Sequence, residues 1–440
     1  MMQNGKAKPN DGVAKGRRLR QHVWRRVAAA TQAQAAAEEL RPLRGRGVAG
    51  GDLAEQTVMV FGLGAVGGRC FNNLARLGVG CLYGVDPDSY GARSWETQPC
   101  LPTDAGREKA EVQGALAHAV RPSTSVTTIT GLAQDLPLWM LRQADLFVLA
   151  GDNLEVAVWA GVQAAALGKR LVHGAVHGES WLSVVRGYDL RDPQNTCPAC
   201  GLGLAEWSML KSRFGCDPSL PRSPGLEPTR TLPNLCGTTA ELLTSEALKC
   251  LLGLDAQTLN GEELSYCGLP HRAMRSELSR NPRCRCPHEQ CRLRDIAKSP
   301  ADVTFATVLS AMNARVDDVQ VHGELPWNQY ASCEECDRHV PMRCFGRTGD
   351  PVDRCSCGNP LVAAPLGAQR VVPREDLRSC LDIPLALLGV SPGQAISVSM
   401  DGESTHLFIG RPSDPELNEP EDFPGASMVP CFSVGAITHE

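Results

Sequence analysis

A chain of 440 residues, 42% of them hydrophobic, is long enough for two or three domains with full-sized cores, which excludes a peptide or a disordered scaffold. Forty-four basic against 49 acidic residues leave a net charge of -5, so the molecule as a whole has no electrostatic reason to seek nucleic acid or an anionic membrane. No stretch approaches the roughly 18 to 20 consecutive apolar residues of a membrane span, and no apolar core follows the basic start, so a soluble, cytoplasmic protein is expected.

The basic residues are concentrated at the start, where Lys6, Lys8, Lys15, Arg17, Arg18, Arg20, Arg25 and Arg26 face one acidic residue, Asp11. This Ala-rich segment suits either an organellar transit sequence or an arginine-bearing helix that packs on the globular part. A helix is predicted over 17–40, followed by a Gly/Arg-rich linker at 44–51, so residues 1–50 form an N-terminal helix and linker. From Thr57 onward, short apolar runs alternate with helical segments. Strands are expected at 57–61, 81–85, 146–150, 170–176 and 182–186, with helices at 65–77 and 238–252. This is α/β wiring, a Rossmann-like and mostly parallel sheet with helices on both faces, over 51–295.

A Pro- and Arg-rich stretch at 217–233 reads as an exposed crossover loop. Beyond Ala297 the periodicity weakens and cysteines cluster again. A linker and zinc ribbon are expected at 296–375 and a small β-rich unit at 376–440.

The sequence from Val58 to Gly67 sets Gly62, Gly64 and Gly67 as G-x-G-x-x-G directly after an apolar strand and at a helix start. Glycines there let the backbone turn tightly and approach a phosphate, whose charge the helix N-terminus stabilises. Asp86, nineteen residues after Gly67 at the end of the second strand, is spaced to bond ribose hydroxyls. These features alone fit any nucleotide-binding Rossmann domain, NAD enzymes included.

The residues beyond Asp86 are more selective: Asp88, then the segment Arg93–Gln98, then Asp104 to Lys109, and later Gly151-Asp152-Asn153. In this order the chain resembles the ThiF/MoeB/HesA superfamily, the fold of ubiquitin-activating enzymes, over about residues 55 to 290. The resemblance implies that Asp86 holds the ATP ribose, Lys109 contacts the phosphates and Asp152 carries Mg²⁺. It also implies adenylation of the C-terminal carboxylate of a small ubiquitin-like or sulfur-carrier (β-grasp) protein, a homodimer, and a conjugating enzyme as a further partner. A lysine beside a carboxylate-held metal can neutralise the charge that develops on the phosphoryl oxygens. The match is imperfect, because the family's Asn falls at Ser94 and its phosphate-binding Arg at Thr97. Arg93, Arg107 or Arg25 are candidates to supply the missing charge. A weakly catalytic nucleotide-binding scaffold, or adenylation of a small-molecule or tRNA carboxylate, are the alternatives.

Nineteen cysteines without an export signal are read as metal ligands or catalytic thiols. Cys197 and Cys200, with Cys284 and Cys286 about 85 residues on, form two pairs that could surround one Zn²⁺; His288 and Cys291 stand nearby. Cys333, Cys336, Cys355 and Cys357 are spaced as a second zinc site, with Cys344 as a substitute. Cys236, expected just before a long helix, resembles the thioester cysteine of ubiquitin-activating enzymes. A helix N-terminus would favour its thiolate as an acyl acceptor. His173 and His177 are given no role.

Overall fold

The computed structural model describes residues 19–25, 53–151, 153–213, 231–333, 335–347, 349–364 and 368–410. Its first unit is built on a nine-stranded sheet. Five strands run parallel: β2 (Thr57–Phe61), β3 (Cys81–Asp86), β4 (Ser125–Thr130), β5 (Leu146–Ala150) and β6 (Arg170–His177), in the order β4-β3-β2-β5-β6. Strand order therefore reverses between β2 and β5, the place where doubly wound sheets open a crevice beyond their carboxyl ends. Beyond β6 the sheet continues antiparallel through β7 (Leu182–Asp189), β8 (Glu262–Cys267) and β9 (Arg272–Glu277).

Alternation along β2 sorts the two faces. Val58 and Val60 pack under α1 (Gly67–Leu77), α2 (Lys109–Val120) and α6 (Pro233–Leu251), whereas Met59 and Phe61 face α3 (Leu138–Gln143) and α4 (Leu154–Leu167). Both side chains of each pair are buried because helices cover both faces, so this strand reads as one continuous apolar run. Asn153 starts α4 by accepting the N–H groups of Glu155 and Val156, and Gly168 ends it in the left-handed conformation.

The helix predicted over 17–40 is corrected where it is described. Residues Arg20–Trp24 form β1, which pairs antiparallel with β4 at the far edge of the sheet. The free edge of β4 offers backbone partners that a local helix would forgo. Arg20 and His22 also bond Glu108 at 2.7 and 3.0 Å, and the Trp24 ring fills the space left by Gly114 of α2. The remainder of that helix, the linker at 44–51 and the crossover loop up to residue 230 lie outside the described residues.

The second unit begins after residue 291. A four-stranded sheet takes β10 (Arg292–Ile296), β11 (Gln320–Gly323), β17 (Ala395–Met400) and β18 (Glu403–Ile409) in the order β10-β18-β17-β11. A second sheet, between β11 and β17 in the chain, holds β12 (Trp327–Ser332), β13 (His339–Phe345), β14 (Pro351–Arg354), β15 (Pro360–Ala363) and the short β16 (Ala368–Gln369). Phe305, Trp327, Phe345, Leu377 and Leu407 share one core, so residues on both sides of 375 are packed together. The unit docks on α3: Arg142 grips Asp295 through two hydrogen bonds of 2.5 and 3.1 Å and stacks over the Phe408 ring at 4.7 Å. Glu324 accepts N–H groups from Leu138 of the first unit and Ala395 of the second, at 3.2 and 2.6 Å.

Candidate active site and metal centres

The glycine turn sits at the switch point. Gly62 has φ +88°, and a Cβ on it would lie 2.4 Å from the Ala150 carbonyl oxygen at the end of β5. A Cβ on Gly67 would lie 1.9 Å from the Gly62 carbonyl oxygen, so both positions exclude any side chain. Gly64 differs: the nearest atom to its would-be Cβ is Gln98 Oε1 at 3.7 Å, which leaves its backbone open to approach. The three glycines thus divide into two that close the turn and one that leaves room for a ligand.

Asp86 anchors the turn from the neighbouring strand. Its carboxylate accepts the Leu63 N–H at 2.7 Å and the Asp88 N–H at 2.9 Å, and it is 4% exposed. Burial pushes its pKa above the ordinary carboxylate range, while Lys109 and the two N–H donors pull it back. Lys109, the first residue of α2, brings its Nζ to 3.1 Å from Asp88 and 4.0 Å from Asp86. Asp86, Asp88 and Lys109 are therefore assembled beside the glycine turn. Asp152 lies outside the described residues, although Ala150, before it, abuts the turn and Asn153, after it, caps α4.

The segment after β3 is fastened by a buried network. Asn72 donates to Gln113 Oε1 at 2.7 Å, and Gln113 Nε2 donates to the Tyr90 hydroxyl at 2.6 Å and the Pro99 carbonyl at 2.8 Å. The arginines proposed from sequence are placed differently from one another. Arg93 is clamped by Glu96 at 2.7 Å on the surface, and Arg107 bonds Asp104 and Glu111, each at 2.8 Å. Arg25 comes just after β1 at an exposed position. Sequence reasoning passes over Arg69, whose Nη1 donates to the Ala65 carbonyl and, at 2.8 Å, to that of Thr97. The Gly67-Gly68-Arg69 run is the available signal, a cation in the first turn after the glycines.

The expectation that Cys236 stands just before the helix, its thiolate favoured by the helix N-terminus, is corrected. The helix begins one turn earlier than predicted, with Pro233 as its first residue, so Cys236 is inside it. The thiol is 0% exposed among core residues, and burial raises its pKa. His173 is likewise structural, its Nε2 lying 2.8 Å from the Gly151 carbonyl oxygen.

Two groups of ligand atoms converge. In the first, Cys197, Cys200, Cys284 and His288 lie with their ligand atoms within 4.8 Å of one another. The Cys197–Cys200 and Cys197–Cys284 sulfurs are each 3.8 Å apart, and His288 Nε2 is 3.6 Å from Cys200 Sγ. Tetrahedral zinc with Zn–S bonds of about 2.3 Å sets sulfurs about 3.8 Å apart, so the donor set fits. The assignment of Cys286 is corrected, since His288 completes the group. Cys286 remains outside the converging group beside Cys284, its pKa raised to about 12 by burial and neighbouring thiols. Burial and the charge of Arg280 lower the His288 pKa, keeping its imidazole in the neutral form a ligand needs. In the second group, Cys333 faces Cys357 at 3.5 Å and Cys336 faces Cys355 at 3.4 Å.

The parallel order, the reversal between β2 and β5 and the glycine turn lodged there define a doubly wound α/β protein of the Rossmann class. Residues 41–291 match the ThiF family, more than half of the chain, and the chain belongs to that family. It is 28% identical over 242 residues to the sulfur carrier protein adenylyltransferase of Thermus thermophilus, covering 53% of this chain and 82% of that protein. It is 27% identical over 221 residues to the SAMP-activating enzyme E1 of Haloferax volcanii, covering 49% and 74%. Among solved structures, E. coli MccB is similar over 53% of this chain and 65% of that one, at 16% identity and a TM-score of 0.43.

Proposed function

We propose that this protein binds ATP over the glycine turn and adenylates the C-terminal carboxylate of a small ubiquitin-like, β-grasp partner. The observation that carries this reading is the convergence of open Gly64, buried Asp86 and Lys109 at the carboxyl ends of β2 and β3. The names of the two curated relatives support a carrier or modifier protein as the substrate.

In the proposed reaction a carboxylate oxygen of the partner attacks the α-phosphorus, the bond to the bridging oxygen breaks, and pyrophosphate leaves with the electron pair. Asp86 receives the ribose hydroxyls. Lys109 turns from Asp88 toward the phosphoryl oxygens and stabilises their growing charge. Asp152 would hold Mg²⁺, which supplies Lewis-acid charge on the same oxygens. Both cysteine-containing groups would hold Zn²⁺ as closed structural sites, because every corner is filled by a protein donor. A homodimer and a conjugating enzyme as second partner belong to this reading through the resemblance alone.

The reading ends at the acyl-adenylate. A thioester on Cys236 is the alternative ending, and the burial of that thiol within α6 opposes it. ATP–pyrophosphate exchange in the presence of β-grasp proteins that end in glycine is the test. Exchange that depends on the partner is expected. Binding of ATP without exchange for any such partner would leave the scaffold reading in its place. Exchange that survives in Cys236→Ala, with completed transfer, separates the two endings.

A further inference from the structure

Around the glycine turn the cations are paired with carboxylates, with one exception among the described residues. Arg93 is held by Glu96, Arg107 by Asp104 and Glu111, and Lys109 by Asp88 and Asp86. Arg69, the third residue of α1, is bonded by the carbonyl oxygens of Ala65 and Thr97 and meets no carboxylate among the described residues. Both bonds are made by the one nitrogen Nη1, so Nε and Nη2 keep their donors. A partly buried guanidinium without an anion is costly unless a ligand completes it.

Three further observations point the same way. Arg69 springs from the first turn of the helix whose N-terminus faces the space beside Gly64, where the helix dipole already favours negative charge. Gln98 Oε1, next to Gly64, is buried with no hydrogen-bond partner, so the wall beside the turn also holds an open acceptor, which a ligand hydroxyl or N–H rather than a phosphate oxygen would fill. The bond to the Thr97 carbonyl at 2.8 Å ties Arg69 to the segment after β3 whose Gln98 borders the space that Gly64 leaves open.

We propose that Arg69 is a phosphate-binding residue, anchored through Nη1 on the Thr97 carbonyl and donating its remaining N–H groups to the phosphate chain of ATP. It does the work of an arginine at position 97 from beside that residue, out of α1. This inference rests on the ATP reading above, and its failure is distinguishable from the failure of that reading.

The experiment is calorimetric titration of the full chain and its Arg69 variants with ATP and, separately, with adenosine. Wild-type protein that ignores ATP would defeat the ATP reading itself. Given wild-type binding, Arg69→Ala is expected to weaken ATP about tenfold or more and leave adenosine unchanged, while Arg69→Lys recovers part of the loss. Equal ATP affinity in wild type and Arg69→Ala overturns the proposal. So does a parallel loss of ATP and adenosine, which would mark Arg69 as a brace for the Thr97 segment. Arg69→Gln, which keeps a donor for the Thr97 carbonyl without the charge, decides the matter if Arg69→Ala fails to fold. It should also lose ATP selectively.

Discussion

His288 Nε2 stands 3.6 Å from Cys200 Sγ while its Nδ1 lies 3.1 Å from the Asn195 carbonyl oxygen, so one ring is held on both sides by the loops it joins. The carbonyl fixes the proton on Nδ1 and leaves the Nε2 lone pair for a metal, the usual arrangement behind a ligating histidine. Two zinc ions per chain are expected by elemental analysis. His288→Ala should lose one of them and lower the melting temperature, whereas Cys286→Ser should retain both. Retention of both in His288→Ala, with loss in Cys286→Ser, would restore a four-thiol site.

Lys109 is the residue on which catalysis should depend most visibly. Its Nζ is tied only to Asp86 and Asp88 among the described residues; without it the Asp86 carboxylate keeps its two backbone donors and the exposed Asp88 carboxylate turns to water. Lys109→Ala is expected to cut partner-dependent pyrophosphate exchange by about 100-fold or more. Its melting temperature should move little, and a large fall there would reassign Lys109 to structure.

The two kinds of glycine in the turn should respond oppositely to a methyl group. Gly62→Ala forces a positive φ on alanine and a Cβ into the Ala150 carbonyl, so a destabilisation of about 2 kcal/mol or more is expected in urea titration. Gly64→Ala has 3.7 Å of clearance and should fold as wild type, yet weaken ATP by crowding its phosphates. Equal stability of the two variants would contradict this division.

The second unit should weaken in acid through His406. Its ring is buried against Ser397 at 2.6 Å, and burial, with the nearby His322, lowers its pKa from 6.5 to about 4. Between those values the unfolded chain binds the proton and the folded chain does not. The contribution is therefore complete above pH 6.5 and is lost as pH falls toward 4. The stability gap between wild type and His406→Asn should accordingly narrow over that window. A gap that widens on acidification would mean that His406 is charged in the fold.

Much of the first unit is legible because its signals are local. The runs at Thr57–Phe61 and Leu146–Ala150 are bounded by turns, and Gly62, Gly64 and Gly67 announce where the backbone must bend. The features that escape a sequence reading depend on distant partners. Residues Arg20–Trp24 become a strand only because β4, more than 100 residues away, leaves an edge open. Arg69 looks like an ordinary helix residue until Thr97 is brought against it, and His288 replaces Cys286 because of how the chain turns after Cys284. Cys236 differs from its expected place by a single helical turn, since Pro233 starts the helix rather than merely preceding it.

The parallel pairing of β10 with β18 joins the first strand of the second unit to its last described one. During synthesis the family domain can finish folding once residue 291 has emerged, but β10 must wait for more than a hundred further residues before its neighbour exists. Until then its edge stays open on a tether that starts four residues after His288, and the growing chain cannot close the unit piecemeal. A truncation that removes Glu403–Ile409 should consequently leave the adenylation half soluble while the rest becomes a target for proteases, however intact its cysteines.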